Sequence, residues 1–151
     1  LFGVAFSLYA LNMTPALSFL GDSGAQTFGF LLAGIAVKYT PNDAPQGSTW
    51  FIPILLLIMP IFDTSLVVLS RLRRKKPLFQ ADLAHTYHRL VLLGLSPRKA
   101  VFLIQMAALL SCILAFIMIS FTPVLANIFF FSIVALWGVA IFLLEIYAKI
   151  E

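Results

Sequence analysis

From Ala100 to Leu144 the sequence runs for 45 residues without one Asp, Glu, Lys or Arg. About 20 apolar residues suffice to cross the hydrocarbon core of a bilayer, so this run is too long for one crossing. Thr122-Pro123 divides it, because proline suits the first turn of a helix and threonine suits its cap. The two halves, of 23 and 22 residues, are expected to form a helical hairpin with spans over 100–121 and 123–146.

The rest of the chain carries the same stamp. Hydrophobic residues make up 62% and charged residues 11%, against about 25% charged in a soluble domain; the mean hydropathy is +1.04. A third span is expected over 50–70, opening on Trp50, whose indole favours the membrane interface. A thinner one is expected over 24–40, where Lys38 can snorkel outward. Its small residues Gly29, Ala33 and Gly34 suit close helix packing.

Leu1–Leu11 would reach only about 17 Å as a helix, short of the ~30 Å core. The chain is therefore expected to begin partway through a span, as the C-terminal part of a longer protein. No basic segment or cleavage site marks a signal peptide at Leu1. The single cysteine, Cys112, excludes a disulfide within the chain. The fold class that follows is all-α: a single membrane domain, a polytopic transmembrane helix bundle of four full spans and a partial N-terminal one.

Against this background one polar stretch stands apart. Residues 71–99 hold eight of the ten Lys and Arg residues and both histidines. The excess of Lys and Arg directs such a loop to the cytoplasm. Alternation then places the segment Gly21–Gly24 on the same side, with Thr40–Thr49 and Thr122 outside. Asp22 and the histidines are thus expected to share a face. The run Arg71–Lys76 directly follows a span, which suits a topology signal and an anionic-lipid anchor; nothing in it resembles a base-reading module, so no nucleic-acid partner is expected.

Three clusters carry candidate chemistry. In Gly21-Asp-Ser-Gly24 the glycines permit a tight bend and a close approach to a ligand, and Asp22 or Ser23 can cap the following helix. Asp63, in Pro60-Ile-Phe-Asp-Thr64, lies inside the expected third span, about 12 Å along a helix from Arg71. It is a structural candidate, capping backbone freed by Pro60 or pairing with a base from another helix. The second reading is a site residue, since ionisable groups within a membrane are costly and tend to face a wet interior.

His85-Thr-Tyr-His88 has i, i+3 spacing, which puts both imidazoles on one face of a helix running to about Leu93 and ended by Gly94. Zinc would need further ligands, and no third histidine exists. A solvated amphipathic helix remains open. So does a phosphate-binding cluster with Arg89, Lys75 and Lys76, suited to a diphosphate.

Taken in order, Pro15-Ala16, Phe19-Leu-Gly-Asp-Ser-Gly24 and Gly29-Phe30 resemble a segment of the polyprenyl-phosphate N-acetylhexosamine-1-phosphate transferases. This superfamily includes undecaprenyl-phosphate GlcNAc-1-phosphate transferases and phospho-MurNAc-pentapeptide translocase. Pro60-Ile-Phe-Asp63-Thr64, then Pro77-x-Phe79-x-x-Asp82-x-x-His85-x-x-His88-Arg89-Leu90, and Leu93-Gly-Leu-Ser96 match the same family in the same order, covering about Leu11 to Val101. Two departures stand out: Tyr87 replaces one imidazole of the family's His-x-His-His, and Ala25 replaces a frequent serine.

The resemblance implies transfer of a sugar 1-phosphate, GlcNAc-1-phosphate above all, from a UDP-sugar to polyprenyl phosphate, with release of UMP. Such a step would initiate a lipid-linked cell-envelope glycan at a bacterial cytoplasmic membrane. It implies Mg²⁺ as cofactor, Asp22 as catalytic metal ligand, and His85, His88 and Arg89 as binders of diphosphate or nucleotide oxygens. The implied partners are a UDP-N-acetylhexosamine, a polyprenyl phosphate and the bilayer; a homo-oligomer is left open. The family's Asp-Asp-x-x-Asp motif has no match in these residues, so the 151-residue polypeptide alone is expected to be inactive. Two rivals come from other classes. A non-catalytic membrane scaffold would use the basic loop to bind anionic lipid. A transporter bundle would need more polar lining than Asp63 supplies.

Overall fold

The computed structural model describes residues 2–12, 20–38, 47, 49–77 and 85–148. Every regular element among them is a helix. The chain divides into two compact units, residues 1–39 and 40–151.

In the first unit, α1 (Phe2–Asn12) and α2 (Gly21–Lys38) are the regular elements. Pro15, which begins the matched segment, lies outside the described residues. Helix α2 starts one residue before the acid, so Asp22 and Ser23 sit in its first turn and not at the cap position expected of them. An acid there still meets the positive end of the helix dipole. Gly21 makes the entry possible, with φ at +66°, a region that costs other residues about 1–2 kcal/mol.

The second unit contains α3 (Ile52–Leu56), α4 (Ile58–Arg74), α5 (Thr86–Leu92), α6 (Pro97–Met118) and α7 (Pro123–Tyr147). The span expected over 50–70 is a broken helix. Pro60 has no N–H for the carbonyl of Leu56 and its ring crowds that carbonyl. The chain answers with a turn at Leu57 (φ −105°, ψ 16°). Helical bonding passes around the break, from Leu57 N–H to the Pro53 carbonyl and from Ile61 N–H to the Leu57 carbonyl, each 3.2 Å.

Helix α4 then runs on to Arg74, four residues past the expected end. It closes with Lys76 N–H on the Arg71 carbonyl (3.0 Å) and Lys75 N–H on that of Leu72 (3.3 Å). This paired closure needs a left-handed residue, usually glycine; here Lys75 takes it, at φ 53°. Gly94, at φ 93°, makes the same closure for α5.

Among the described residues α6 and α7 are the two helices long and apolar enough to cross a membrane. Both start at a proline: α7 at Pro123 as expected, and α6 at Pro97, three residues before the expected start. The carbonyls of Ser96 and Thr122 receive the Ala100 and Ala126 amides at 3.0 and 2.9 Å. Their hydroxyls make no capping bond, contrary to the cap expected of Thr122. Outward on these helices stand Phe102, Leu110, Ile117, Val124, Leu136 and Phe142, all exposed. So much contiguous apolar surface suits lipid and not water.

The packed interior of this unit begins at Phe51, Ile52 and Leu55, which are fully buried against Ala115 and Met118 of α6 and Ala126 and Phe130 of α7. Small alanines let the helices approach closely where aromatic rings fill the remaining space. Phe51 and Phe130 stack with centroids 5.1 Å apart. Further along, Phe62 meets Trp137 edge-on at 4.7 Å. Helix α7 therefore runs beside α3 and α4 from the Phe51 level towards Ser70, and α6 runs the opposite way.

Candidate functional site

At the far end of the second unit from Phe51 the contacts turn polar, and α5 is their centre. Its first residue, Thr86, follows His85, which stands in the cap position with extended backbone (φ −66°, ψ 150°). His85 is thus outside the helix on which the spacing had put it. The exposed N–H of a helix start needs an acceptor, and here α4 supplies it. Asp63 Oδ1 accepts both the backbone N–H and the Oγ1 hydroxyl of Thr86, each at 2.7 Å. The other oxygen, Oδ2, lies 2.7 Å from Nδ1 of His85.

Asp63 therefore does not serve its own helix. Thr64 and Ser65 bond back to the carbonyls of Pro60 and Ile61 (2.8 and 2.7 Å), while the carboxylate reaches across to α5. A cleft of about 290 Å³ opens beside this contact, walled by Met59, Pro60, Tyr87 and Ile104. His85 is half exposed at 52%, so Nε2 is presented to the surroundings. His88, one turn on, meets the Tyr87 ring edge-on at 5.1 Å.

Arg89 faces the other way. Its side chain is 1% exposed. Nη1 donates to the carbonyls of Leu144 and Ala148 at the end of α7 (3.0 and 3.2 Å). Nη2 donates to Ser70 Oγ (2.7 Å) and stands 2.7 Å from Glu145 Oε2. A cation is favoured at a helix C-terminus, where carbonyls have no partner within the helix. Arg74 also donates to Ser70 Oγ (2.7 Å), and Arg73 lies 3.8 Å from Glu145 Oε1. As placed, the Arg89 guanidinium meets protein groups on every side that the structure describes.

The structure thus joins Asp63 to His85 and sends Arg89 to a separate buried cluster. Asp22 belongs to the first unit, exposed in the first turn of α2 and without a hydrogen bond or ion pair to any described residue. Asp82 lies outside the described residues. Thr86, Ser70 and Glu145 went unnoticed in the sequence. A signal existed for Glu145, the acid that ends the 45-residue uncharged run. None existed for Ser70 or Thr86.

Asp22 can serve Mg²⁺ in part. That ion is commonly held by one or two carboxylates together with phosphate oxygens and water, and no described residue engages the Asp22 carboxylate. Among the described residues no group of three or more His, Cys, Asp or Glu could form a metal cage.

Over 111 residues, 74% of its length, the chain is 32% identical to the probable undecaprenyl-phosphate N-acetylglucosaminyl 1-phosphate transferase of Bacillus subtilis. The chain is a homologue of the polyprenyl-phosphate N-acetylglucosaminyl 1-phosphate transferases. It is also 32% identical to the undecaprenyl-phosphate alpha-N-acetylglucosaminyl 1-phosphate transferase of Pasteurella multocida, over 60% of its length. The decaprenyl-phosphate N-acetylglucosaminephosphotransferase of Mycobacterium leprae is 29% identical over 63%. The matched parts are 31%, 25% and 26% of those transferases, so the chain spans about a quarter to a third of their length. No protein-family model matches the chain, and no solved structure matches it significantly.

Proposed function

We propose that the full-length protein transfers GlcNAc 1-phosphate from a UDP-sugar to a polyprenyl phosphate, releasing UMP and starting a lipid-linked envelope glycan. The observation that carries this reading is the similarity to the Bacillus subtilis transferase over 74% of the chain. The reaction would take place at the cytoplasmic face of the bacterial inner membrane, with α2 and the α3–α4 pair as further spans. A phosphate oxygen of the lipid would attack the sugar-linked phosphorus, and UMP would leave.

Phosphoryl transfer depends on positioning and on charge stabilisation more than on covalent chemistry. In this proposal His85 and His88 hold phosphate or nucleotide oxygens. Arg89, buried against Glu145 and the end of α7, holds the helix that carries His88 and starts just after His85. Mg²⁺, when bound by Asp22 and the donor's own oxygens, supplies positive charge at the diphosphate. Asp22 alone gives Mg²⁺ one carboxylate, so the 151-residue polypeptide by itself is proposed to be inactive.

The test is UMP release by the full-length protein in detergent with UDP-GlcNAc, undecaprenyl phosphate and Mg²⁺. Release that is lost in Asp22→Asn is the expected result. Release that survives the mutation removes Asp22 from the metal site. No release with any UDP-N-acetylhexosamine would favour the scaffold that binds anionic lipid through Arg71–Lys76.

A further inference from the structure

We propose that Asp63 is a positioning residue for the transfer reaction, fixing the protonation pattern of His85 so that Nε2 is an acceptor turned to a hydroxyl of the nucleotide-sugar substrate. This inference rests on the proposed function and adds a residue to its machinery.

The geometry supports it in three steps. First, Oδ1 is occupied by two donors of Thr86, both at 2.7 Å. A carboxylate oxygen held by a backbone amide and a hydroxyl cannot swing away, so Oδ2 has a fixed place. Second, Oδ2 lies 2.7 Å from Nδ1 of His85. An ionised carboxylate only accepts, so Nδ1 must carry the proton. Third, Nε2 is left as the working nitrogen. It has no partner among the described residues, and the side chain is 52% exposed at the mouth of a cleft of about 290 Å³.

A carboxylate behind an imidazole sets its tautomer and ring direction wherever the other nitrogen works on a metal or a substrate. With Nδ1–H committed to Asp63, the Nε2 lone pair is free to accept a hydrogen bond from a substrate hydroxyl. Asp63 is the acid facing it from α4. Tyr87 and His88 follow it on α5, Arg89 turns into the buried cluster, and α6 contributes Ile104 to the cleft wall. The same carboxylate also caps α5, so a purely structural role must be separated from a positioning one.

Asp63→Asn makes that separation. An asparagine whose oxygen still accepts from Thr86 turns an amide N–H towards His85. Nδ1 must then accept, and the proton moves to Nε2. The cap survives while the imidazole pattern is reversed. In the full-length protein kcat for UMP release is expected to fall about 10–100-fold, the usual cost of losing such an orienting partner. In a His85→Gln background the same change should cost less than about threefold, because the group through which Asp63 acts is gone.

An equal loss in both backgrounds would overturn the proposal and leave Asp63 a helix cap. Wild-type kcat in Asp63→Asn would overturn it as well. If the unmutated protein releases no UMP, the transferase reading fails separately. The positioning claim is then decided by the imidazole ¹⁵N resonances of His85, assigned by their loss in His85→Gln. A tautomer unchanged by Asp63→Asn contradicts the claim, and a proton moved to Nε2 sustains it.

Discussion

The two ends of the second unit are held by opposite means. At the Phe51 end, Phe51, Ile52, Leu55, Met118 and Phe130 close on the small residues Ala115 and Ala126. At the Arg89 end, Arg89, Glu145 and Ser70 are buried with little apolar cover of their own, and two carbonyls of α7 complete the set. In lipid, side-chain packing and not water exclusion drives helices together. The Phe51 end is therefore divisible, each ring contributing its own contacts. The Arg89 end is a unit whose parts leave an uncompensated charge when separated. This second kind of hold sits behind the helix that presents His85 and His88.

The largest expected effect comes from splitting that unit. Arg89→Met strands the buried Glu145 carboxylate and should destabilise the full-length protein by about 3–5 kcal/mol, with transferase activity lost. Thermal unfolding in detergent measures the first and UMP release the second. The double variant Arg89→Met/Glu145→Met should recover more than half of the stability, because no charge is left unpaired. An additive double variant would break the contrast between the two ends.

Phe130→Ala comes next, at about 3 kcal/mol for the lost ring. It should add simply to any change at the Arg89 end and leave the KM for UDP-GlcNAc unchanged in protein that remains folded. Strong coupling between Phe130 and Arg89 would show the two ends to be one structure. Asn127→Leu should cost less, about 1–2 kcal/mol. It removes the acceptor of Trp50 Nε1 (3.1 Å) and the donor to the Gly47 carbonyl (2.7 Å). The smallest effect is a gain: Lys75→Gly relieves the left-handed residue that ends α4 and should raise stability by about 0.5 kcal/mol.

The contrast also explains what could be read from the sequence. Helix content, the start of α7 at Pro123 and the end of α5 at Gly94 depend on residues within one turn of each boundary, and all were legible. The break at Leu57 was written locally too, in Pro60, yet the expectation of one continuous span overrode it. The polar clasp was of another kind. Ser70, Arg89 and Glu145 are 19 and 56 positions apart in the chain, and no local pattern links them. The spacing of His85 and His88 suggested one helical face. Asp63 instead draws His85 into the cap position, a competition that only the packing of α4 on α5 decides.

The most direct test of the account is the affinity of the full-length protein for UDP-GlcNAc with Mg²⁺, measured by titration calorimetry for the unmutated protein and for His85→Gln. A histidine whose Nε2 accepts from a hydroxyl of the donor predicts a Kd raised about two- to tenfold at an unchanged unfolding temperature, since a lost hydrogen bond is worth about 0.5–1.5 kcal/mol. An unchanged Kd would contradict it and leave the His85 end of α5 without a part in binding the donor.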